Sequence, residues 1–150
     1  MRGIRGMSPS LDALIESLPL SQLRAVLQLA FSVMAGEFAG DANIGSAIHR
    51  FTEGTQIPDQ GQSRELAQRS QEADDLYCRL EEEGAAKAVY SLEFRRARVL
   101  YALSLVFAAR ETTLPLVDDV IYELGHGSVD FAAFTRTLEQ RIRAEIAQLS

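Results

Sequence analysis

The pair Glu123 and His126 has a spacing that is typical of a metal site. Residues three apart lie on the same helical face, and carboxylate-bridged di-iron bundles use this Glu-x-x-His pair. Asp119, one turn earlier, could add a third ligand. Such sites need the motif twice, and the chain has no second copy. We therefore predict no metal and no cofactor, and we expect His126 to interact with the last carbonyls of its helix.

The other reactive side chains lack the partners that catalysis needs. His49 and His126 are the two histidines, and Cys78 is the single cysteine. Neither histidine has an obvious partner for a nucleophilic triad, and Cys78 is expected to pack as a small residue. No glycine-rich phosphate loop or dinucleotide-binding fingerprint occurs. Enzymatic activity is therefore the less favoured interpretation, and no catalytic residue is assigned.

Two charged clusters are candidate partner-binding surfaces. Three closely spaced arginines could hold a carboxylate or an acidic partner, or they could pair with acidic residues of a neighbouring helix. A carboxylate strip with one tyrosine could dock a basic protein, because aromatic residues anchor interfaces, or it could be an ordinary solvated face. The candidates are Arg95, Arg96 and Arg98 in the first cluster and Asp118, Asp119, Tyr122 and Glu123 in the second.

Three aromatic residues, Tyr90, Phe94 and Tyr101, lie near one side of a predicted helix. They could line a small-molecule pocket between helices, and they could equally be core packing. They are therefore the candidate pocket residues if the protein is a small-molecule sensor or an enzyme.

The composition narrows the classes of partner. The chain has 150 residues, a formal net charge of −6 and one cysteine. An acidic chain is a poor nucleic-acid binder, because phosphate binding needs cations, but it suits a basic protein partner. No membrane-spanning segment or signal peptide is expected, and one cysteine allows no internal disulfide. Cytoplasmic localisation is the default interpretation.

A 3.6-residue hydrophobic period throughout the chain predicts an all-α fold. The uncharged run Val99–Ala109 completes a helix over about 85–110, which we expect at the centre of a single bundle of six to seven helices. Residues 1–9 are predicted to be a flexible arm, with Met7 an alternative start, and residues 10–150 the helical domain. Ser10, Ser21, Asp41, Ser63 and Ser128 are the predicted N-caps, and Gly125–Gly127 is the predicted stop of the sixth helix.

Gly84 decides the topology of the two longest helical segments. As a helix-terminating glycine it would fold the segments into an antiparallel hairpin, with Glu72, Asp74 and Asp75 near the arginine cluster. The alternative is one continuous helix. A helix that ended here would have three glutamates at its C-terminus, where they are unfavourable, and Glu83 and Lys87 have the spacing of a stabilising pair within one helix. The hairpin is the preferred prediction.

The functional hypothesis follows from acidity, small size and charged helix faces. We expect a non-catalytic protein-binding module of the bacterial cytoplasm, such as an immunity or antitoxin-like inhibitor, an adaptor or a small regulatory subunit. The segment Leu14–Leu27, two helices joined at a Leu-Pro corner, resembles the helical tail of small bacterial antitoxins and the start of an F-box, and no residue role is carried over from it. A small-molecule sensor or an enzyme with an interhelical pocket is the alternative. Homodimerisation stays open, because the long apolar helix has more apolar surface than its thin neighbour can cover.

Overall fold

A computed structural model describes residues 3–54 and 58–147 of the chain. This part of the chain forms eight α-helices and no β-strand, so the prediction of an all-α bundle is confirmed. Seven helices correspond to the predicted ones, and the eighth is an additional short helix at the start. They are α1 (Gly3–Met7), α2 (Pro9–Glu16), α3 (Leu23–Ala35), α4 (Ala42–Glu53), α5 (Gln60–Glu82), α6 (Lys87–Ala108), α7 (Leu114–Gly127) and α8 (Phe131–Glu145).

Most helices begin at a side-chain cap, although the capping residue often differs from the predicted one. Asp41 accepts a hydrogen bond from the Ile44 backbone N–H, as predicted. The predictions for Ser10, Ser21, Ser63 and Ser128 were wrong. Helix α3, for which Ser21 was predicted, has no side-chain cap. The other three helices are capped by a residue upstream or downstream of the predicted serine. Those caps are Ser8 for α2, Asp59 for α5 and Asp130 for α8, and Thr113 caps α7.

The core forms around the second half of α6. From Ala97 to Phe107 this helix is largely buried, and it packs against α5, α7 and α4. Aromatic rings join three helices: Phe31 and Phe51 meet edge to face at 5.4 Å, and Phe51 meets Phe107 at 6.3 Å. The apolar run therefore occupies the central position that its composition predicted.

Gly84 ends α5 and reverses the chain into α6. Its φ is +78°, in the left-handed region that favours glycine. The N–H of Ala85 donates to the Leu80 carbonyl and the N–H of Gly84 donates to the Glu81 carbonyl, which is the Schellman pattern. The helices α5 and α6 pack along each other, so the hairpin prediction is confirmed and the continuous helix is excluded.

Residues Gly3–Met7, within the predicted flexible arm, form the helix α1, which packs against α7. The carboxylate of Asp118 accepts hydrogen bonds from the backbone N–H groups of Gly3 and Ile4, at 3.1 and 3.0 Å. Ile4 is buried. The start of this short helix thus donates hydrogen bonds to a side chain distant in sequence, a contact that local sequence patterns do not encode.

Candidate functional site

The three clustered arginines are bound within the molecule. Arg95 pairs with Glu37 at 3.3 Å, and Arg96 pairs with Asp41 and, at 2.9 Å, with Glu93. Burial alone would lower the pKa of Arg96, but its hydrogen bonds to these two carboxylates raise it above the ordinary value. The side chains of Arg95 and Arg96 therefore join α6 to the 3-10 turn Gly36–Phe38 and to the start of α4.

Arg98 joins three helices. It contacts Asp74 of α5 at 2.7 Å and Glu123 of α7 at 3.2 Å. Of the three acidic residues expected opposite the arginine cluster, Asp74 is the one that pairs with it. The side chain of Arg98 is 24% exposed, so this ion pair is partly screened by solvent.

The predicted acidic strip of α7 is divided between several internal roles. Asp118 is buried and caps α1, and Glu123 is held by Arg98. Asp119 and Tyr122 remain exposed. The strip therefore offers far less free carboxylate than its sequence suggests.

His126 lies within the last turn of α7, because the helix ends at Gly127, the last residue of the predicted stop Gly125–Gly127. Gly127 allows the end of α7 to pack closely against α6, because a Cβ at this position would lie 2.9 Å from a methyl of Val99. The His126 ring contacts Tyr122 at 4.4 Å and Phe131 at 5.1 Å between ring centroids. Within the described residues no three His, Cys, Asp or Glu side chains lie together as metal ligands.

The predicted aromatic pocket is not assembled by the structure. Tyr90 stacks on Tyr77 at 6.0 Å, and Phe94 meets the same ring edge to face at 5.3 Å, so these residues hold α5 against α6. Tyr101 makes none of these ring contacts and is 40% exposed. A hydrogen bond from the Tyr77 phenol to Glu81 raises the pKa of Tyr77 and ties the ring to the end of α5.

The surface that sequence analysis missed is the end of the α5–α6 hairpin. We call residues 74–93 the hairpin tip; none of them is buried. Val89 and Leu92 are 50% and 40% exposed. This segment contains six carboxylates and two cations. Its net formal charge is therefore −4, compared with −6 for the whole chain. The carboxylates are Asp74, Asp75, Glu81, Glu82, Glu83 and Glu93, and the cations are Arg79 and Lys87.

A signal for the hairpin tip is present in the sequence. The apolar face of α5 is thin, and acidic residues accumulate towards the end of the helix. The sequence pattern alone cannot tell that the other helices stop short of this segment, because that depends on the packing of α7 and α4 beside α6.

A cleft of about 480 Å³ lies where the hairpin tip meets the body of the bundle. Phe38 and Leu92 supply apolar surface, and Asp41, Glu93 and Arg96 supply charge. Tyr90, Phe94 and Tyr101 do not line this cleft. The remaining lining residues are Glu37, Gly40 and Ala42.

No protein-family model, curated protein or solved structure matches this chain. Among the described residues no single helix has the length and apolar composition of a membrane span. The pair Pro9–Glu16 and Leu20–Phe38, bent by 117°, meets both criteria when its two parts are taken together.

Proposed function

We propose that this chain is a non-catalytic protein-binding module of the bacterial cytoplasm, and that the hairpin tip binds its partner. An inhibitor of the immunity or antitoxin type, an adaptor and a small regulatory subunit all fit this role. The observation that carries the proposal is the exposure of Val89 and Leu92 on a tip that also exposes three consecutive glutamates, Glu81, Glu82 and Glu83. Apolar anchors surrounded by one sign of charge combine adhesion with electrostatic steering.

The charge of the hairpin tip favours a basic partner. Glu81, Glu82 and Glu83 are exposed at the end of α5, where the helix dipole adds further negative potential. A second copy of the chain docked tip to tip would bring these carboxylates together, which is unfavourable. We therefore place the basic protein ahead of a homodimer as the occupant of this surface.

A photo-crosslinking residue at position 89 tests this proposal in the organism that produces the protein. We expect one adduct of defined mass, with a partner whose crosslinked segment is rich in lysine or arginine. The matched control carries the crosslinker at Gln140, which is exposed on α8, a helix that packs on α2, α3 and α7. Equal adducts at both positions, or none at position 89, would contradict the proposal.

The cleft beside Phe38 supports a second candidate function, a small-molecule sensor. Its volume of about 480 Å³ is within the range of small-ligand sites. Native mass spectrometry of the protein purified from its host would then detect a bound small molecule. The substitution Gly40→Leu, which places a side chain in the cleft, should abolish that additional mass.

A further inference from the structure

The cleft and the hairpin tip form one continuous surface. Leu92 is exposed on the tip and also lines the cleft, whose opposite side is formed by the 3-10 turn Gly36–Phe38 and the start of α4. A partner lying along the tip would therefore reach the cleft opening with its next side chains. The inference below rests on the proposed function and specifies the chemistry of the partner.

The apolar part of the cleft suits an aliphatic chain. Phe38 is almost fully buried as a residue and lines the cleft with Leu92, while Gly40 and Ala42 add little bulk. A Cβ atom added at Gly40 would have no neighbour within 4 Å, so this side of the cleft is open. An incoming side chain can therefore enter without displacing protein atoms.

The charged part of the cleft selects the sign of the ligand. Three carboxylates line it, those of Glu37, Asp41 and Glu93, together with the guanidinium of Arg96. Because Glu37 pairs with Arg95, the excess over the two guanidinium groups is one negative charge. Asp41 and Glu93 each hold Arg96, yet an ionised carboxylate has about four lone-pair sites and can accept further donors. An anionic ligand would be repelled, and a wholly apolar one would remove these charges from water without replacing their hydrogen bonds.

We propose that the cleft receives a lysine or arginine side chain of the basic partner. Its aliphatic stem would pack on Phe38 and Leu92, and its cationic end would lie beside the carboxylates of Asp41 and Glu93. Long basic side chains commonly bury their stems and leave the charged end at a polar edge. The partner is thus an amphipathic basic segment, with apolar residues on the hairpin tip and one cation in the cleft.

A fluorescent helical peptide of leucine and lysine, about 18 residues long, is the probe for this inference. Its affinity for the full chain is measured by anisotropy. Gly40→Leu adds a bulky side chain at a residue that lines the cleft, and we expect it to weaken binding about tenfold. Gly45→Leu is the matched control, because Gly45 also has open space beside it but lies on α4 and does not line the cleft. We expect its affinity to remain within about twofold of the original.

The variant Val89→Asp separates this inference from the proposed function. If Val89→Asp weakens peptide binding and Gly40→Leu does not, the cleft inference is overturned and the binding role of the tip stands. If Gly40→Leu weakens binding and Val89→Asp does not, the cleft inference stands and the tip is not the main surface. If the unmodified chain does not bind the peptide, both proposals fail.

The amide resonance of Gly40 reports on the cleft directly. We expect this resonance to shift on addition of the peptide and to stay in place with a peptide whose lysines are acetylated, since acetylation removes the charge. An equal shift with both peptides would show that the cleft does not select a cation, and would overturn the inference. Thermal unfolding of Gly40→Leu, followed by circular dichroism, checks that the variant is folded.

Discussion

At the scale of single residues, Gly84 determines the direction of the chain after α5. Its positive φ allows the Schellman hydrogen bonds that end the helix, although the three consecutive glutamates before it are electrostatically unfavourable at a helix C-terminus. Because no atom lies within 4 Å of the position a Cβ would take, the requirement for glycine here is conformational and not steric.

The substitution Gly84→Ala is expected to lower the free energy of unfolding by about 1 kcal/mol, the cost of a left-handed conformation for a residue with a Cβ. Gly45→Ala is the control, since this exposed glycine lies inside α4 and alanine there should stabilise the helix by about 0.5–1 kcal/mol. Urea unfolding followed by circular dichroism measures both. A Gly84→Ala variant as stable as the original chain would contradict the assignment of this turn.

The capping residue Asp59 makes the stability of the folded chain depend on pH. Its carboxylate accepts the Gln62 backbone N–H at 3.0 Å and binds Arg50, and these hydrogen bonds lower its pKa. A lowered pKa in the folded state means that the stabilisation is complete at neutral pH and is lost as the pH falls below about 4 towards the folded-state value.

We therefore expect Asp59→Ala to be less stable than the original chain at pH 7, with a difference that shrinks at pH 3. Asp59→Asn keeps a capping oxygen but cannot titrate, so it should be more stable than Asp59→Ala at both pH values, while its difference from the original chain should shrink with pH by the same amount. Denaturant midpoints at the two pH values measure both. An Asp59→Ala difference that stays constant between pH 7 and pH 3 would argue against the role of the charge.

At the scale of helices, the side chains of the arginine cluster act as cross-links. Arg98 connects α5 and α7 through α6, and Arg95 and Arg96 connect α6 to residues 37 and 41. The sequence predicted that these arginines would have acidic partners, and Asp74 is one. It could not identify Glu37, Asp41 or Glu123 as the others, because such pairs depend on how the helices cross.

Replacing Arg98 with methionine should lower the free energy of unfolding by about 1–2 kcal/mol, because Asp74 and Glu123 both lose a cation in a partly buried site. Arg141→Met is the matched control: Arg141 pairs with Glu145 four residues away on the surface of α8, and its loss should have a much smaller effect. Equal losses for the two variants would indicate that Arg98 is an ordinary surface arginine.

At the scale of the whole molecule, the order of helices was predictable and the surface was not. Hydrophobic periodicity located α2 to α8, and Gly84 located the hairpin, because both signals are local. The docking of α1 on Asp118 and the division of the acidic strip of α7 depend on residues more than 20 positions apart. The exposed hairpin tip was missed because sequence patterns do not record which helix extends beyond its neighbours.

The concentration of charge on the hairpin tip predicts how association depends on salt. The association rate of the leucine–lysine peptide should fall steeply as the ionic strength rises from about 0.01 M to about 1 M, because the screening length shrinks from about 30 Å to about 3 Å. The dissociation rate should change less. Stopped-flow fluorescence measures both rates.

The control for this prediction is the triple variant Glu81→Gln, Glu82→Gln and Glu83→Gln, which keeps the size of the three exposed side chains and removes their charge. We expect its association rate to be slower at low salt and nearly insensitive to ionic strength. A triple variant with the same salt dependence as the original chain would show that another acidic surface steers the peptide.

The capping of α1 by Asp118 also sets an order in time. The hydrogen bond between Gly3 and Asp118 joins residues 115 positions apart. At a synthesis rate of about 5–20 residues per second, α1 waits on the order of ten seconds for its cap to be made. Long loops close more slowly than local hairpins form, so α5 and α6 can pair while α1 is still undocked. The earliest helix of this chain to be synthesised is thus among the last to reach its place.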